Sequence, residues 1–263
     1  MVFLVLTLLA LAGGIAHATG AARSWGPITA MQLHVGAALL SIPFALWHIR
    51  LRRVRVHSTD ASRRQLLRSA ALVGASGLAY LAVEGFVRVT SLPGSKRRFT
   101  GSYETGSLRP ERMPVTQWLN DQVPAIDTRS WRLRVSAPGK RRDMTYEDIA
   151  GFEERERAII DCTGGWWAEQ DWEGVRLSTL LGPLEGGSIT VTSATGYARR
   201  FPVRDAHRLL VATRAGGRPL SPGHGAPARL VAPGRRGFWW VKWIDSIEVG
   251  DSPWWRQSPF PLT

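Results

Sequence analysis

The chain has 263 residues, of which 44% are hydrophobic and 21% are charged. This composition excludes a disordered or fibrous protein, and the length leaves room for one ordinary domain with additions. The net charge of +13 is unevenly distributed, since residues 1–91 contain nine Lys and Arg but two acidic residues, whereas ten of the twelve Trp lie after residue 100. We therefore predict a basic membrane region at residues 1–91, followed by a Trp-rich globular domain at residues 92–263.

Three apolar stretches predict transmembrane α-helices at residues 2–18, 28–49 and 69–87. The first two stretches contain no Lys, Arg, Asp or Glu, and the third contains only Glu84, close to its end. Each has roughly the 20 residues that an α-helix needs to cross about 30 Å of hydrocarbon.

The distribution of arginine predicts the orientation in the membrane. The first connecting loop contains only Arg23. The loop between the second and third stretches contains seven arginines: Arg50, Arg52, Arg53, Arg55, Arg63, Arg64 and Arg68. By the positive-inside rule this second loop is cytoplasmic, so the globular domain lies on the extracytoplasmic side of the cytoplasmic membrane. The run Lys96-Arg97-Arg98 argues the other way with fewer charges.

Residues 62–68 (SRRQLLR), at the end of this basic loop, resemble a twin-arginine export signal. Leu66 and Arg68 stand where Phe and Lys are commoner in such signals. The pathway moves folded cargo, which suits a domain that folds around a cofactor before export. The alternative is an ordinary basic membrane anchor.

Three histidines lie in the predicted transmembrane helices. His34 and His48 are fourteen residues apart, which places them within about 40° of one helix face and about 21 Å apart. With His17 as the outer partner of His34, this spacing resembles haem b ligation, and intramembrane ionisable residues are functional candidates. His48 then has no obvious partner in this chain. Each histidine lies near a span end, where a hydrated structural role is the alternative.

After residue 100 the sequence pattern is rich in predicted β-strands. Runs at residues 131–135, 188–192 and 238–249 predict strands between loops that contain Gly and Pro, and residues 145–152 predict a short helix. The predicted fold class is therefore α+β, with a β-rich domain preceded by transmembrane α-helices.

Cys162 is the only cysteine, which excludes an intramolecular disulfide and any multi-cysteine metal site in this chain. It follows a short apolar run and is followed by the sequence TGG. A lone cysteine is commonly a small buried hydrophobic residue, whereas a Gly-rich turn allows a bulky ligand to approach the thiol.

Three motifs carry a family resemblance: DCTGGW at residues 161–166, HGAPAR at 224–229 and GFWWVKWI at 237–244. In this order and spacing they resemble the sulfite oxidase superfamily, which also includes the catalytic subunit of periplasmic methionine sulfoxide reductase. The resemblance covers roughly residues 99–250. It implies a sulfite-oxidase-like molybdopterin-binding domain, and hence a membrane-anchored, molybdopterin-dependent oxidoreductase.

The resemblance also implies roles for individual residues. Cys162 would be the catalytic cysteine, as the protein thiolate that ligates molybdenum. His224, Arg229 and Lys242 would bind the phosphate side of the pterin, since Arg and Lys are the usual cationic donors to phosphate. The other implied cofactor contacts are Tyr103, Glu104, Ser193, Trp240 and Val241.

Departures from the family bear on substrate and assembly. Gly165, Trp166 and Trp167 stand where sulfite oxidases carry Asn and Arg soon after the cysteine, so we do not expect a sulfite pocket. The chain stops before an Ig-like dimerisation domain, which predicts a monomer or a hetero-complex. Arg199 and Arg200 either line an anion-attracting mouth or are ordinary surface charges.

We predict an enzyme that transfers an oxygen atom to or from a small, sulfur-containing or related substrate and exchanges electrons with a membrane haem or quinone partner. The expected cofactors are molybdopterin and, from the histidines, haem b. The alternative is a non-catalytic pterin-fold binding or assembly subunit of a membrane redox complex. Nucleic acid is not an expected partner, because much of the positive charge lies in the cytoplasmic loop and no nucleic-acid motif is recognised. Anionic lipid suits this charge better.

Overall fold

The computed structural model describes residues 1–26, 28–51, 62–117, 121–184 and 187–259. Within them the chain forms two compact units, and the boundary along the chain lies between Tyr103 and Glu104. Three arginines of the predicted cytoplasmic loop lie outside the described residues: Arg52, Arg53 and Arg55.

The first unit consists of three long helices and a short hairpin: α1 (Val2–Thr19), β1 (Ser24–Trp25), β2 (Ile28–Thr29), α2 (Ala30–Leu51) and α3 (Arg63–Val89). Among the described residues, these three helices are long and apolar enough to cross a membrane, by length and composition. They coincide with the three predicted stretches, except that α3 begins before residue 69. It begins earlier because the Ser62 hydroxyl caps its N-terminus by accepting a hydrogen bond from the Gln65 backbone N–H.

The second unit contains most of the β-structure and two short helices. The chain enters it through β3 (Tyr103–Glu104). The elements that follow are β4 (Arg132–Ala137), β5 (Lys140–Thr145), α4 (Tyr146–Ala150), β6 (Glu154–Asp161), β7 (Trp166–Arg176), α5 (Leu177–Leu181), β8 (Ser188–Ser193), β9 (Ala198–Pro202), β10 (Leu210–Ala215), β11 (Arg218–Pro219), β12 (Arg229–Val231) and β13 (Ile244–Gly250).

Two mostly antiparallel sheets form this unit. One sheet has the order β5-β4-β13-β8-β9, in which β4 and β13 are parallel. In the other, β7 pairs with β6 and β10, and β10 also pairs with β11 and β12. Alternate side chains of β4 are buried, as in Leu133 and Val135, whereas consecutive residues of β10, such as Leu210 and Val211, are buried. These side chains belong to one hydrophobic core.

Three of the predicted elements lie close to observed ones. Residues 131–135 and 188–192 correspond to β4 and β8, and residues 145–152 contain α4. A capping box begins α4: the Asp148 N–H donates to the Thr145 hydroxyl, and the Asp148 carboxylate accepts from the Thr145 N–H.

The prediction of one strand over residues 238–249 is wrong in its first half. Residues Gly237–Trp239 form a 3₁₀ turn, and the strand begins only at Ile244. Trp243 has a φ of 51°, which breaks an extended strand. Its indole N–H donates to the Pro222 carbonyl at 2.7 Å, so this Trp-rich run packs into the core through side-chain contacts with loops.

Gly174 of β7 provides a test of how closely the strands β7 and β10 approach each other. A Cβ atom at this position would lie 1.9 Å from the Val211 carbonyl oxygen, which belongs to the backbone and cannot rotate away. We expect Gly174→Ala to destabilise the second unit by about 3 kcal/mol or more, through forced strand displacement. Thermal unfolding of the detergent-solubilised chain would measure this effect.

Gly250→Ala is the matched control, because a Cβ atom on Gly250, also in a strand, meets open space. Equal melting temperatures for the two variants would contradict the close strand approach.

Candidate active site

Cys162 lies in the tight turn that joins β6 to β7. The Cys162 N–H donates to the Trp166 carbonyl at 2.8 Å, and the Gly165 N–H donates to the Cys162 carbonyl at 3.2 Å. The Gly165 φ of 86° is in the left-handed region that favours glycine. The Gly164 N–H donates to the Cys162 sulfur at 3.3 Å. The turn therefore holds the thiol at a defined position.

Arg236 and Gly237 support this turn from the other side. The Arg236 guanidinium donates to the Asp161 carboxylate at 2.7 Å and to the Cys162 carbonyl at 3.3 Å. A Cβ atom on Gly237 would lie 3.0 Å from the Cys162 Cα, so a side chain here would press on the cysteine turn. The cysteine is thus held by its own turn and by a segment more than 70 positions later in the chain.

Two adjoining cavities meet at Cys162. The first, which we call the cleft, has an empty volume of about 500 Å³, and the second, which we call the inner cavity, has about 330 Å³. They share five lining residues: Thr116, Cys162, Gly237, Trp240 and Lys242. The residues that line only the inner cavity include Trp166, His224 and Arg229, and those that line only the cleft include Asp121, Ser193, Tyr197 and Phe238.

Arg229 is a fully buried cation beside the inner cavity. One Nη donates to the His224 carbonyl at 3.1 Å, and the guanidinium carbon lies 5.0 Å from the ring centre of Trp172 and 5.6 Å from that of Trp240. Its Nε has no hydrogen-bond partner in the part of the chain that the structure describes. Burial lowers the pKa of Arg229 to about 10, so the group is still charged at neutral pH.

Lys242 brings a second cation to the same place. Its ammonium donates to the Thr116 carbonyl at 2.8 Å and the Gly223 carbonyl at 2.7 Å. Burial, and secondarily repulsion by Arg229, lowers the pKa of Lys242 from 10.5 to about 7.

His224 organises the loop around these cations. Its Nε2 donates to the Met113 carbonyl at 2.9 Å, and its Nδ1 therefore accepts the hydrogen bond of the Ser221 hydroxyl at 2.8 Å. Burial lowers the pKa of His224, so the imidazole is neutral. Both ring nitrogens form hydrogen bonds within the chain, and the imidazole forms part of the wall of the inner cavity.

The electrostatics of the site favour an anionic ligand. Neither Arg229 nor Lys242 has an ion-pair partner among the described residues. Burial raises the pKa of the Cys162 thiol, while the Gly164 N–H, the Thr116 side chain and the two nearby cations Lys242 and Arg236 oppose that rise. A buried arginine and a partly buried lysine, without ion-pair partners and beside a thiol, suit a ligand that carries a phosphate and a metal. The residues present therefore fit the molybdenum cofactor.

The other cofactor contacts that the resemblance implies lie in different surroundings. Trp240 lines both cavities, and the buried Val241 accepts a backbone hydrogen bond from Leu230 at 2.7 Å. Ser193 lines the cleft, where its hydroxyl lies 3.0 Å from that of Thr195.

Tyr103 and Glu104 do not line the cleft or the inner cavity. The Tyr103 hydroxyl donates to the His17 carbonyl, and the Glu104 carboxylate accepts from the Ser107 N–H at 2.8 Å.

Arg199 and Arg200 do not line an anion-attracting mouth, and they are not ordinary surface charges either. Arg199 is buried, lies 4.1 Å from the ring centre of Trp239 and donates to the Ser258 carbonyl at 3.0 Å. Arg200 donates to the Arg256 carbonyl at 3.0 Å. Both hold the C-terminal segment, and neither lines the cleft.

Two of the three histidines in α1 and α2 have one ring nitrogen occupied by a backbone carbonyl. His17 Nε2 donates to the Gly101 carbonyl at 2.6 Å, and His34 Nδ1 donates to the Ala10 carbonyl at 2.7 Å. No cluster of three or more metal-ligating His, Cys, Asp or Glu occurs within the described ranges. These bonds leave His34 Nε2 and His17 Nδ1 as the nitrogens of this pair that a metal could use, and His48 is exposed.

Sequence reasoning missed several residues of the site. Thr116 lines both cavities and accepts a hydrogen bond from the Trp166 indole at 3.0 Å, and Asp121, Tyr197 and Arg236 also lie at the site. None of these residues belongs to one of the three motifs. Arg236 comes closest, because it directly precedes the motif at residues 237–244.

The fold and the site define a molybdopterin-dependent oxidoreductase. The family model of the oxidoreductase molybdopterin binding domain matches residues 120–258, more than half of the chain, and the chain belongs to this family. The predicted membership of the sulfite oxidase superfamily, the α+β fold class with its sulfite-oxidase-like domain, and the identification as an oxidoreductase enzyme are confirmed.

Relatives of the chain include characterised and uncharacterised enzymes. The uncharacterized oxidoreductase YuiH of Bacillus subtilis is 29% identical over 57% of this chain and 87% of its own length. Sulfite oxidase of Rattus norvegicus is 26% identical over 48% of this chain and 30% of its own length, and a nitrate reductase of Brassica napus is 28% identical over 48% and 18%. The sulfane dehydrogenase SoxCD of Paracoccus pantotrophus aligns with a TM-score of 0.46 and 27% identity over 49% of this chain and 40% of its own. The chain thus spans less than a third of the sulfite oxidase and nitrate reductase.

The lowered pKa of Lys242 predicts how the stability of the cofactor-free protein changes with pH. Between pH 7 and 10.5 the unfolded chain keeps a proton on Lys242 that the folded chain has lost, so the free energy of unfolding rises with pH in this window. We expect a gain on the order of a few kcal/mol that Lys242→Met abolishes, measured as the melting temperature of cofactor-free full-length protein against pH.

Lys140→Met is the control, since Lys140 is exposed and the chain has three lysines in all. The pH dependence would not come from Lys242 if the melting temperatures of wild type and Lys242→Met changed with pH in the same way.

Proposed function

We propose that this protein is a membrane-anchored molybdenum-cofactor-dependent oxidoreductase that transfers an oxygen atom to or from a small substrate. The observation that carries the proposal is that the sole cysteine lines the same cavity as the buried Arg229 and the partly buried Lys242, neither of which has an ion-pair partner among the described residues. Such a cavity is costly without an anionic ligand and favourable with one.

In this proposal Cys162 ligates molybdenum and Arg229 and Lys242 bind the pterin phosphate. When bound, the cofactor supplies a metal that cycles between Mo(VI) and Mo(IV) and so exchanges two electrons with the substrate. An anion in the inner cavity would raise the pKa of Lys242 again, because the protonated ammonium gains a partner.

The other site residues position the ligand and exclude water. His224, held between Ser221 and Met113, keeps the loop that carries Arg229 in place. The indole of Trp240 forms a wall common to both cavities, and Ser193 offers a hydroxyl in the cleft. The contacts of Tyr103 and Glu104 with the pterin, which the resemblance implies, stay predictions.

We further propose that α1, α2 and α3 anchor the protein in the cytoplasmic membrane with the catalytic domain outside. The length and apolar composition of the helices and the arginines that precede and begin α3 support this orientation. Electrons would pass to or from a membrane quinone or a haem-bearing partner. The backbone bond on His17 Nε2 argues against this nitrogen as an iron ligand.

Cys162→Ser tests the proposed metal ligation. Full-length wild-type protein from a host that makes the cofactor should contain about one molybdenum per chain, and the variant should lose activity and change its metal spectra, because a hydroxyl is a poorer ligand than a thiolate. Metal analysis would also report iron, and b-type absorption bands would identify haem.

An unchanged melting temperature of the apo variant is the control for folding, because Ser and Cys are similar in size. Wild-type protein without molybdenum would overturn the proposal and favour a non-catalytic binding or assembly subunit.

The twin-arginine hypothesis makes a separate prediction about export. Replacing Arg63 and Arg64 together by Lys keeps the charge, so it should not affect an ordinary basic anchor, but it should block a twin-arginine signal. We expect the catalytic domain of the double variant to be protected from protease in spheroplasts.

Arg68→Lys is the matched control, since Lys is common at that position of such signals, and it should leave the domain accessible. If protease reached the catalytic domain of the double variant as readily as that of wild type, the result would favour the ordinary basic anchor.

A further inference from the structure

Asp121 places a negative charge in the cleft that leads to Cys162. It lines the cleft, and its carboxylate accepts a hydrogen bond from the Thr195 hydroxyl at 3.2 Å, at the exposed side of the cleft. A carboxylate in this position repels an approaching anion and attracts a cation.

The cations near the cleft are committed to other partners. Lys242 donates to two backbone carbonyls and belongs to the proposed cofactor site. Arg236 binds Asp161 and the Cys162 carbonyl, and Arg199 lies buried against Trp239. No arginine lines the cleft within the part of the chain described by the structure.

The rest of the cleft is aromatic or neutral. Phe238, Trp243 and Tyr197 supply rings, and Thr163 and Gln117 supply uncharged polar groups. Burial raises the pKa of the Tyr197 phenol above its ordinary value, so this group adds no negative charge. Aromatic faces bind apolar groups and organic cations well, and they offer little to a small oxyanion.

We propose that the cleft selects an uncharged or cationic organic substrate and disfavours small inorganic oxyanions, with Asp121 as the residue that sets this selectivity. The inference rests on the proposed function and names the substrate class of the same site. Arg229 lines only the inner cavity, Asp121 lines only the cleft, and Lys242, which lines both, donates to two backbone carbonyls.

Three aryl methyl sulfoxides that differ only in the para substituent test the charge selectivity: unsubstituted (neutral), aminomethyl (cationic) and carboxylate (anionic). Reduced viologen dye serves as electron donor to the full-length holoenzyme. Each turnover breaks the S–O bond, yields the thioether and water, and consumes two electrons from two dye molecules and two protons from solvent. Sulfite with ferricyanide and nitrate with the reduced dye are assayed alongside.

We expect kcat/KM for the cationic sulfoxide to exceed that for the anionic one by about tenfold or more, and Asp121→Asn to lower this ratio about fivefold. Asp143→Asn is the matched control, because it removes the same charge from an exposed position on β5, outside the cleft, and should leave the ratio unchanged.

Preference for the anionic sulfoxide, sulfite or nitrate would overturn the selectivity, as would a ratio that Asp121→Asn does not change. Molybdenum-loaded enzyme that turns over none of the sulfoxides would also count against it, without affecting the proposed function. Failure of that function would show separately, as protein without molybdenum.

Discussion

The site depends on two basic side chains, one buried and one partly buried, that have no ion-pair partner among the described residues. Arg229 and Lys242 are held by backbone carbonyls and indole faces, which satisfy hydrogen bonds without neutralising charge. The lowered pKa of Lys242 measures the cost of this arrangement. A ligand with negative charge would remove this cost, and the proposed anionic cofactor is such a ligand.

The frame around these cations is rigid because several distant segments meet in it. The β6–β7 turn carries the thiol, Arg236 and Gly237 close against that turn, and His224 bridges Ser221 and Met113. The hydrogen bonds involve buried or partly buried side chains, so the proposed metal ligand and the proposed phosphate donors are held in place by the chain itself. This preorganisation lowers the entropy cost of binding it.

The two sides of Cys162 differ in their charged residues. Arg229 lines only the inner cavity and Asp121 lines only the cleft, while Lys242 lines both. In the proposed enzyme, Asp121 would keep an anionic substrate from competing with the cofactor for these cations. The arginines Arg199 and Arg200, which by sequence alone were candidates for attracting anions, instead bind the C-terminal segment.

The sequence by itself determined the apolar stretches, the family and the motifs around Cys162, Arg229 and Lys242, because hydropathy and motifs are properties of short continuous segments. The tertiary structure alone decided that Thr116 and Asp121 join the site and that the Tyr103 hydroxyl donates to the His17 carbonyl. Thr116 and Lys242 are 126 residues apart and meet through a backbone carbonyl, a group that every residue carries. No local pattern encodes such a contact, since it depends on how the two sheets bring their loops together.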